Sequence, residues 1–245
     1  MVVGAGFLGT AVARQAKAGG WSVVPVVRSD SSAEVLRHEF PETQAVNAVE
    51  KSFWDKRSGD WQGLVWSISP SRSQETSFND LHRTGAILAG SWCRRHHVPM
   101  VYISSTSVYA ESTGGWVDEM SAVALDDERS VAMLEAEKVA LRSGGTVLRC
   151  AGIYGPGRDL RSGSEGPERW LNVVQVEDAA RAVGLILGKK SGVYNVCENE
   201  PLRRGIPGGR WPEERRERRN KRVSNVKIRD LGWHPLWKAG CLDTA

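Results

Sequence analysis

Short apolar runs rich in β-branched residues alternate with longer stretches of helical periodicity along this chain. The runs are VVG at the start, WSVVPVV at 21–27, LVWSIS at 64–69, MVYISS at 100–105 and TVLRCAGIY at 146–154. Helical patterns lie between them over about 7–19, 74–97, 129–143 and 177–188, stopped by Gly19-Gly20, Pro99, Gly144-Gly145 and Gly188. Strands separated by helices imply parallel pairing. The runs are apolar throughout rather than strictly alternating, as strands covered by helices on both faces must be. The pattern predicts an α/β fold with a doubly wound parallel sheet. Residues 155–171, rich in Gly and Arg, and 198–222, rich in Pro, Gly, Arg and Glu, break the rhythm. The expected division is therefore a sheet domain over 1–199, with 155–172 contributing to a substrate cap, and a small cap segment over 200–245.

The total of 245 residues, 40% hydrophobic and 25% charged, suffices for one large domain with a small lobe. No run reaches the roughly eighteen apolar residues of a spanning helix, and the N-terminus lacks a signal-peptide pattern, so a soluble cytoplasmic protein is expected. Cys93, Cys150, Cys197 and Cys241 are widely spaced without a CxxC pair, which suggests buried thiols rather than a zinc site or a disulfide framework. The net charge of +4 is uneven: residues 203–229 hold eleven Lys or Arg against three Glu. Together with ten tryptophans this invites a nucleic-acid reading. Glu213, Glu214 and Glu217 interrupt the basic run at pairing distances, and no RNA-binding or zinc motif accompanies it, so a solvated face is expected instead.

Gly4-Ala5-Gly6-Phe7-Leu8-Gly9 fits GxGxxG, directly after a β run and directly before AVARQAKAGG. The first glycine allows a tight turn, the second lets backbone approach a pyrophosphate, and the third lets helix and strand pack closely. The helix N-terminus then offers free N–H groups to the anion. The alternative is a glycine-rich turn kept only for packing. Only Met1, Val2 and Val3 precede Gly4, where a central strand usually has about five or six residues, so the true start is expected upstream. About twenty residues past the glycines, where an acidic residue would take the ribose hydroxyls of NAD, stand Arg28 and Ser29. A guanidinium fork and a hydroxyl suit the 2′-phosphate of NADP, so NADP is the expected cofactor and NAD the alternative. Ser67 and Ser69, at the end of the 64–69 run, are further candidate cofactor contacts; otherwise they form the turn before Pro70 and cap the next helix.

MVYISSTSVYAESTGGWVDE, VLRCAGIYGPGR, LNVVQVEDAARAV and GVYNVCENEP together resemble the extended short-chain dehydrogenase/reductase superfamily, the nucleotide-sugar epimerase and dehydratase group. ISSTSVY followed by WVDE, AGIYGPGR and KRVSNVKIRDLG look most like its atypical YeeZ-like branch. The resemblance implies a Rossmann-like fold and maps the serine that orients the substrate oxygen to Ser105. It also implies a helix with a Tyr-x-x-x-Lys pair, in which the lysine depresses the pKa of the tyrosine. DDERSVAMLEAEKVAL holds no tyrosine; Arg129 and Met133 take the matching positions if Glu137 marks the family's helix glutamate. Neither does that acid–base work, because arginine stays protonated and methionine has no labile proton. Among Tyr102, Tyr109, Tyr154 and Tyr194 none has Lys four residues on, and Asp118 and Glu119 of WVDE are the remaining proton sources considered. Related enzymes often pair the 74–97 and 129–143 helices between subunits, which makes a homodimer an expectation of the resemblance. Two readings follow: an NAD(P)-dependent oxidoreductase or epimerase/dehydratase-like enzyme acting on an unknown small carbonyl, hydroxyl or nucleotide-sugar compound, or a catalytically inactive NADP-binding sensor or scaffold.

Overall fold

The computed structural model describes residues 1–69, 78–160, 167–189, 191–205 and 219–239. Seven strands form the central sheet: β1 (Val2–Val3), β2 (Pro25–Val27), β3 (Gln44–Ala45), β4 (Leu64–Trp66), β5 (Met100–Ser105), β6 (Thr146–Cys150) and β7 (Gly192–Val196). All six pairings are parallel, in the order β7-β6-β5-β4-β1-β2-β3. The order reverses between β1 and β4, and a crevice opens at such a reversal, outside the carboxyl ends of the strands.

The helices are α1 (Phe7–Ala18), α2 (Asp30–Arg37), α3 (Lys51–Asp55), α4 (Ala86–His96), α5 (Glu128–Arg142), α6 (Val176–Ile186) and α7 (Val226–Arg229). Successive strand residues face opposite sides, as a two-residue period requires. Val2, Val101 and Leu148 join one apolar cluster with Leu8 and Val12 of α1 and Val183 and Ile186 of α6. Val3, Met100, Tyr102 and Val147 join the other, with Trp54, Trp92, Ala136 and Ala140. Trp54 stands 6.2 Å from Trp66 and 5.7 Å from Trp92, centroid to centroid, so these three of the ten tryptophans are core residues rather than stacking platforms.

Several elements differ from the pattern's prediction. The 21–27 run is strand only from Pro25, and the 64–69 run only to Trp66. The 146–154 run divides: β6 ends at Cys150, and Gly152–Tyr154 pairs in parallel with Val173–Gln175 outside the main sheet. The described part of the 74–97 pattern is helical from residue 78 and includes a wide π-helical segment, Asp80–Gly85, ahead of α4. Elements α2, β3 and α3 lie in a stretch without a clear periodic signal. Two further small pairings, Arg169–Leu171 with Leu202–Arg204 and Trp116–Val117 with Arg222–Val223, also stand apart from the sheet. Most of the basic run, residues 206–218, and Cys241 lie outside the described residues. Cys93, Cys150 and Cys197 are buried free thiols.

Two polar groups are built into the core. Glu137 of α5 accepts from Arg149 Nε at 3.0 Å and NH2 at 2.7 Å, and from Ser104 Oγ at 2.5 Å, which joins α5 to β5 and β6. His82 Nδ1 lies 2.6 Å from the Tyr102 hydroxyl, and burial lowers the imidazole pKa to about 4. β1 has only two residues, and the Met1 ammonium donates to Gly63 O at 2.9 Å. Beneath it, at the amino edge of the sheet, an apolar cavity of about 610 Å³ is lined by Trp21, Val23, Gly63 and Leu187.

Candidate functional site

Between β1 and α1 the chain turns through Gly4-Ala5-Gly6, and the three motif glycines have three different surroundings. Gly4 has φ +88°, and a Cβ there would stand 2.6 Å from Ile68 N just beyond β4. A Cβ on Gly9 would fall 2.3 Å from Gly4 O, so the first turn of α1 packs directly onto its own entry loop. A Cβ on Gly6 would meet nothing within 4 Å. Thr10 N–H is the first in α1 to bond back, to Gly6 O at 2.9 Å. The N–H groups of Phe7, Leu8 and Gly9 precede it and, by helix geometry, lack intrahelical acceptors. No acidic side chain occupies the first turn. The open space beside Gly6 therefore adjoins three directed donors and the positive end of a helix dipole, the arrangement that binds a phosphate.

From this turn a cleft of about 240 Å³ runs along the carboxyl edge of the sheet. It is lined by Gly4, Gly6, Arg28, Ser29, Ser67 and Ser69, all expected as cofactor contacts from sequence. Arg28 follows β2 directly and is exposed. Ser29 also has a structural task, since its Oγ accepts from Ser32 N at 3.3 Å and caps α2. Phe7 lines an adjoining depression with Thr10, Ser32 and Val176. Leu8 is buried in the core, which leaves only its backbone to meet a ligand.

Ser105 ends β5 and opens a short 3₁₀ turn, Thr106–Val108, whose Ser107 N–H donates to Ser105 Oγ at 3.1 Å. It lines a cavity of about 1180 Å³ with Ser130, Gly152, Arg169, Asn172 and Lys221. Sheet edge, α5 and the small paired segments thus enclose one space at the carboxyl side of the sheet.

No protein-family model matches the chain. YeeZ of Escherichia coli K12 is 26% identical over 211 residues, covering 80% of this chain and 76% of that protein. The structure superposes on a UDP-glucose 4-epimerase of Thermotoga maritima solved with UDP-glucose, with a TM-score of 0.78 at 16% identity, over 97% of this chain and 93% of that one. The dTDP-glucose 4,6-dehydratase DesIV of Streptomyces venezuelae, solved with NAD and DAU, gives 0.78 at 16% identity, over 98% and 92%. The chain is similar to YeeZ and shares the fold of these sugar-nucleotide enzymes.

The helix that the resemblance expects to carry Tyr-x-x-x-Lys is α5. Arg129 is exposed there, with its guanidinium 5.5 Å from the Phe78 ring, and Met133 packs with Val108 and Leu134. The remaining tyrosines are engaged in the core. Tyr109 donates to Asn195 Oδ1 at 2.6 Å, and burial raises its pKa to about 12. Tyr154 donates to Glu198 Oε1 at 2.6 Å. The WVDE carboxylates are structural too. Glu119 accepts from Asn195 N at 2.7 Å, while Asp118 closes a turn with Met120 N and Ser121 Oγ, bonds that hold its carboxyl below the ordinary range. None of these four lines the Ser105 cavity.

Sequence reasoning missed Asn47 and Ser32 in the cofactor cleft and Ser130, Asn172 and Lys221 in the cavity. Asn47 follows β3, a two-residue edge strand too short for a periodic signal. Lys221 sits in a basic run that reads as a solvated face, although the side chain is buried.

Proposed function

We propose that the protein binds a nicotinamide dinucleotide, NADP in preference to NAD, and acts as an oxidoreductase or epimerase/dehydratase-type enzyme on a small carbonyl or hydroxyl compound or a nucleotide sugar. The observation that carries this is the unfilled space at Gly6 against the unpaired N–H groups that open α1. That space fits a diphosphate, and Arg28 with Ser29 lies along the cleft where the adenosine ribose would extend. When bound, the cofactor supplies hydride chemistry. Ser105 orients the substrate oxygen in the cavity that it lines, and Arg169, Trp170, Arg219 and Lys221 on its walls belong to the cap. The sugar-nucleotide enzymes that share the fold support this substrate range by analogy.

The test is a titration of NADPH against NADH, by quenching or enhancement of cofactor fluorescence, for the native protein and Arg28→Ala. NADPH is expected to bind more tightly than NADH, with the substitution weakening NADPH about tenfold or more and NADH little. Unchanged NADPH fluorescence at every protein concentration refutes the reading.

The empty Tyr-Lys positions of α5 favour a second reading, a dinucleotide-binding sensor or scaffold without turnover. It predicts a melting temperature raised by NADPH through mass action, with no cofactor consumed over panels of carbonyls and alcohols. Turnover abolished by Ser105→Ala refutes it.

A further inference from the structure

The wall of the Ser105 cavity carries a buried lysine. Lys221 is 7% exposed, and its side chain lines the cavity that Ser105 and Ser130 also line. Among the described residues its ammonium has no hydrogen-bond or ion-pair partner. A long lysine stem ordinarily carries its charge to solvent; here the residue as a whole is buried, while its ammonium is not among the fully buried unpaired atoms of the described residues and so stays accessible from the cavity.

Here the backbone holds the residue in place. Lys221 O accepts from Asn172 Nδ2 at 2.9 Å, and Val223 N donates to Asn172 Oδ1 at 2.8 Å. Asn220 Oδ1 accepts from Trp170 N at 2.9 Å, while Gly114 N donates to Asn220 O at 3.0 Å. Both flanks of Lys221 are therefore pinned to the cavity wall.

The surrounding charges leave the amine poised rather than neutralised. Asp126 is taken by Arg219 at 2.6 Å, and Asp127 caps α5 through Ser130 N and Oγ. Arg222 on the same segment turns away, donating to Gly114 O at 2.8 Å. Arg169 lines the same cavity. Burial first, then the Arg219 charge, lowers the Lys221 pKa to about 8, against the opposing pull of Glu111. A perturbed amine in a cavity is a candidate for proton transfer, and near this pKa it both gives and takes protons at neutral pH.

We propose that Lys221 is the acid–base residue of this cavity, exchanging a proton with the substrate oxygen that Ser105 orients. This rests on the dinucleotide-linked reading above. In the reductive direction a hydride from NADPH forms the new C–H bond, the carbonyl π pair moves to oxygen, and that oxygen takes its proton from Nζ. Alcohol, NADP⁺ and a neutral amine result, and the amine recovers its proton from water. Oxidation runs the same steps backwards.

The full chain loaded with NADPH provides the test, through two readouts. Competitive labelling with acetic anhydride between pH 6 and 11, read by peptide mass spectrometry, is expected to give Lys221 a midpoint near 8, well below the ordinary lysine value of about 10.4. Reduction of methylglyoxal, glyoxylate and 9,10-phenanthrenequinone is then compared among native, Lys221→Met and Lys221→Arg proteins. Both substitutions are expected to lower kcat by about 100-fold or more while NADPH affinity changes less than about twofold.

An ordinary labelling midpoint overturns the proposal. So does a Lys221→Arg protein that retains its rate, because charge alone would then suffice and Lys221 would be an anion anchor. A native protein that binds NADPH and reduces no probe overturns it as well. Native protein that fails to bind NADPH overturns the dinucleotide reading, and this one with it.

Discussion

Replacing Gly6 by alanine separates a phosphate cradle from a turn kept for packing. The added Cβ meets nothing within 4 Å, so the fold has room for it. Gly6 is the N-cap of α1, and the weaker capping preference of alanine costs about 1 kcal/mol or less. A bound diphosphate would occupy that same space. Each hydrogen bond from a backbone N–H to a charged phosphate contributes about 1.5–3 kcal/mol, so a methyl group that displaces the phosphate from one or two of these donors costs roughly 3 kcal/mol. That corresponds to an NADPH affinity lower by about 100-fold. Gly9→Ala is the contrasting control, with its Cβ 2.3 Å from a backbone oxygen that cannot rotate away. Overpacking of that kind costs about 1–3 kcal/mol or more of stability. Urea unfolding and NADPH titration on the two variants should therefore dissociate, Gly6→Ala losing binding and Gly9→Ala losing stability. A Gly6→Ala protein that binds NADPH as tightly as the native chain would sink the cradle.

Two further outcomes concern the core. His82 has a folded pKa lowered to about 4 from 6.5, so the unfolded chain binds its proton first as pH falls. Its contribution is intact above pH 6.5 and declines through about 4, by roughly 3 kcal/mol in urea melts; His82→Gln with an undiminished decline over that window would refute it. Glu137→Gln leaves Arg149 with a buried, uncompensated charge, both side chains being 6% exposed or less. The expected loss is about 3–5 kcal/mol, and a measured loss under about 1 kcal/mol would show the pair to be dispensable.

The legible part of the fold was the part with long periodic segments. The helix over 7–19 is α1 at Phe7–Ala18, and the 129–143 pattern is α5 at Glu128–Arg142. The 177–188 pattern is α6 at Val176–Ile186, with Gln175 as its cap. Elements α2, β3 and α3 escaped because a two-residue edge strand and helices of eight and five residues carry too few apolar positions to define a period. The split after Cys150 was also invisible. Ala151 N bonds to Val196 O, and Gly152 N then turns to Asn172 O, a choice made by partners 45 and 20 residues away.

By itself the sequence determined the parallel α/β fold, the position of the glycine turn and the absence of a tyrosine from α5. These are local matters, fixed by backbone conformational preference, residue period and the chemistry a side chain does or does not possess. Only the tertiary structure decided which polar residues share a space. It withdrew Tyr109, Tyr154 and Glu119 into structural hydrogen bonds, and it brought Lys221 from a basic run that reads as solvated to the wall of the cavity that Ser105 also lines. Burial depends on contacts between residues far apart in the chain, and burial sets both the reach and the proton affinity of an amine.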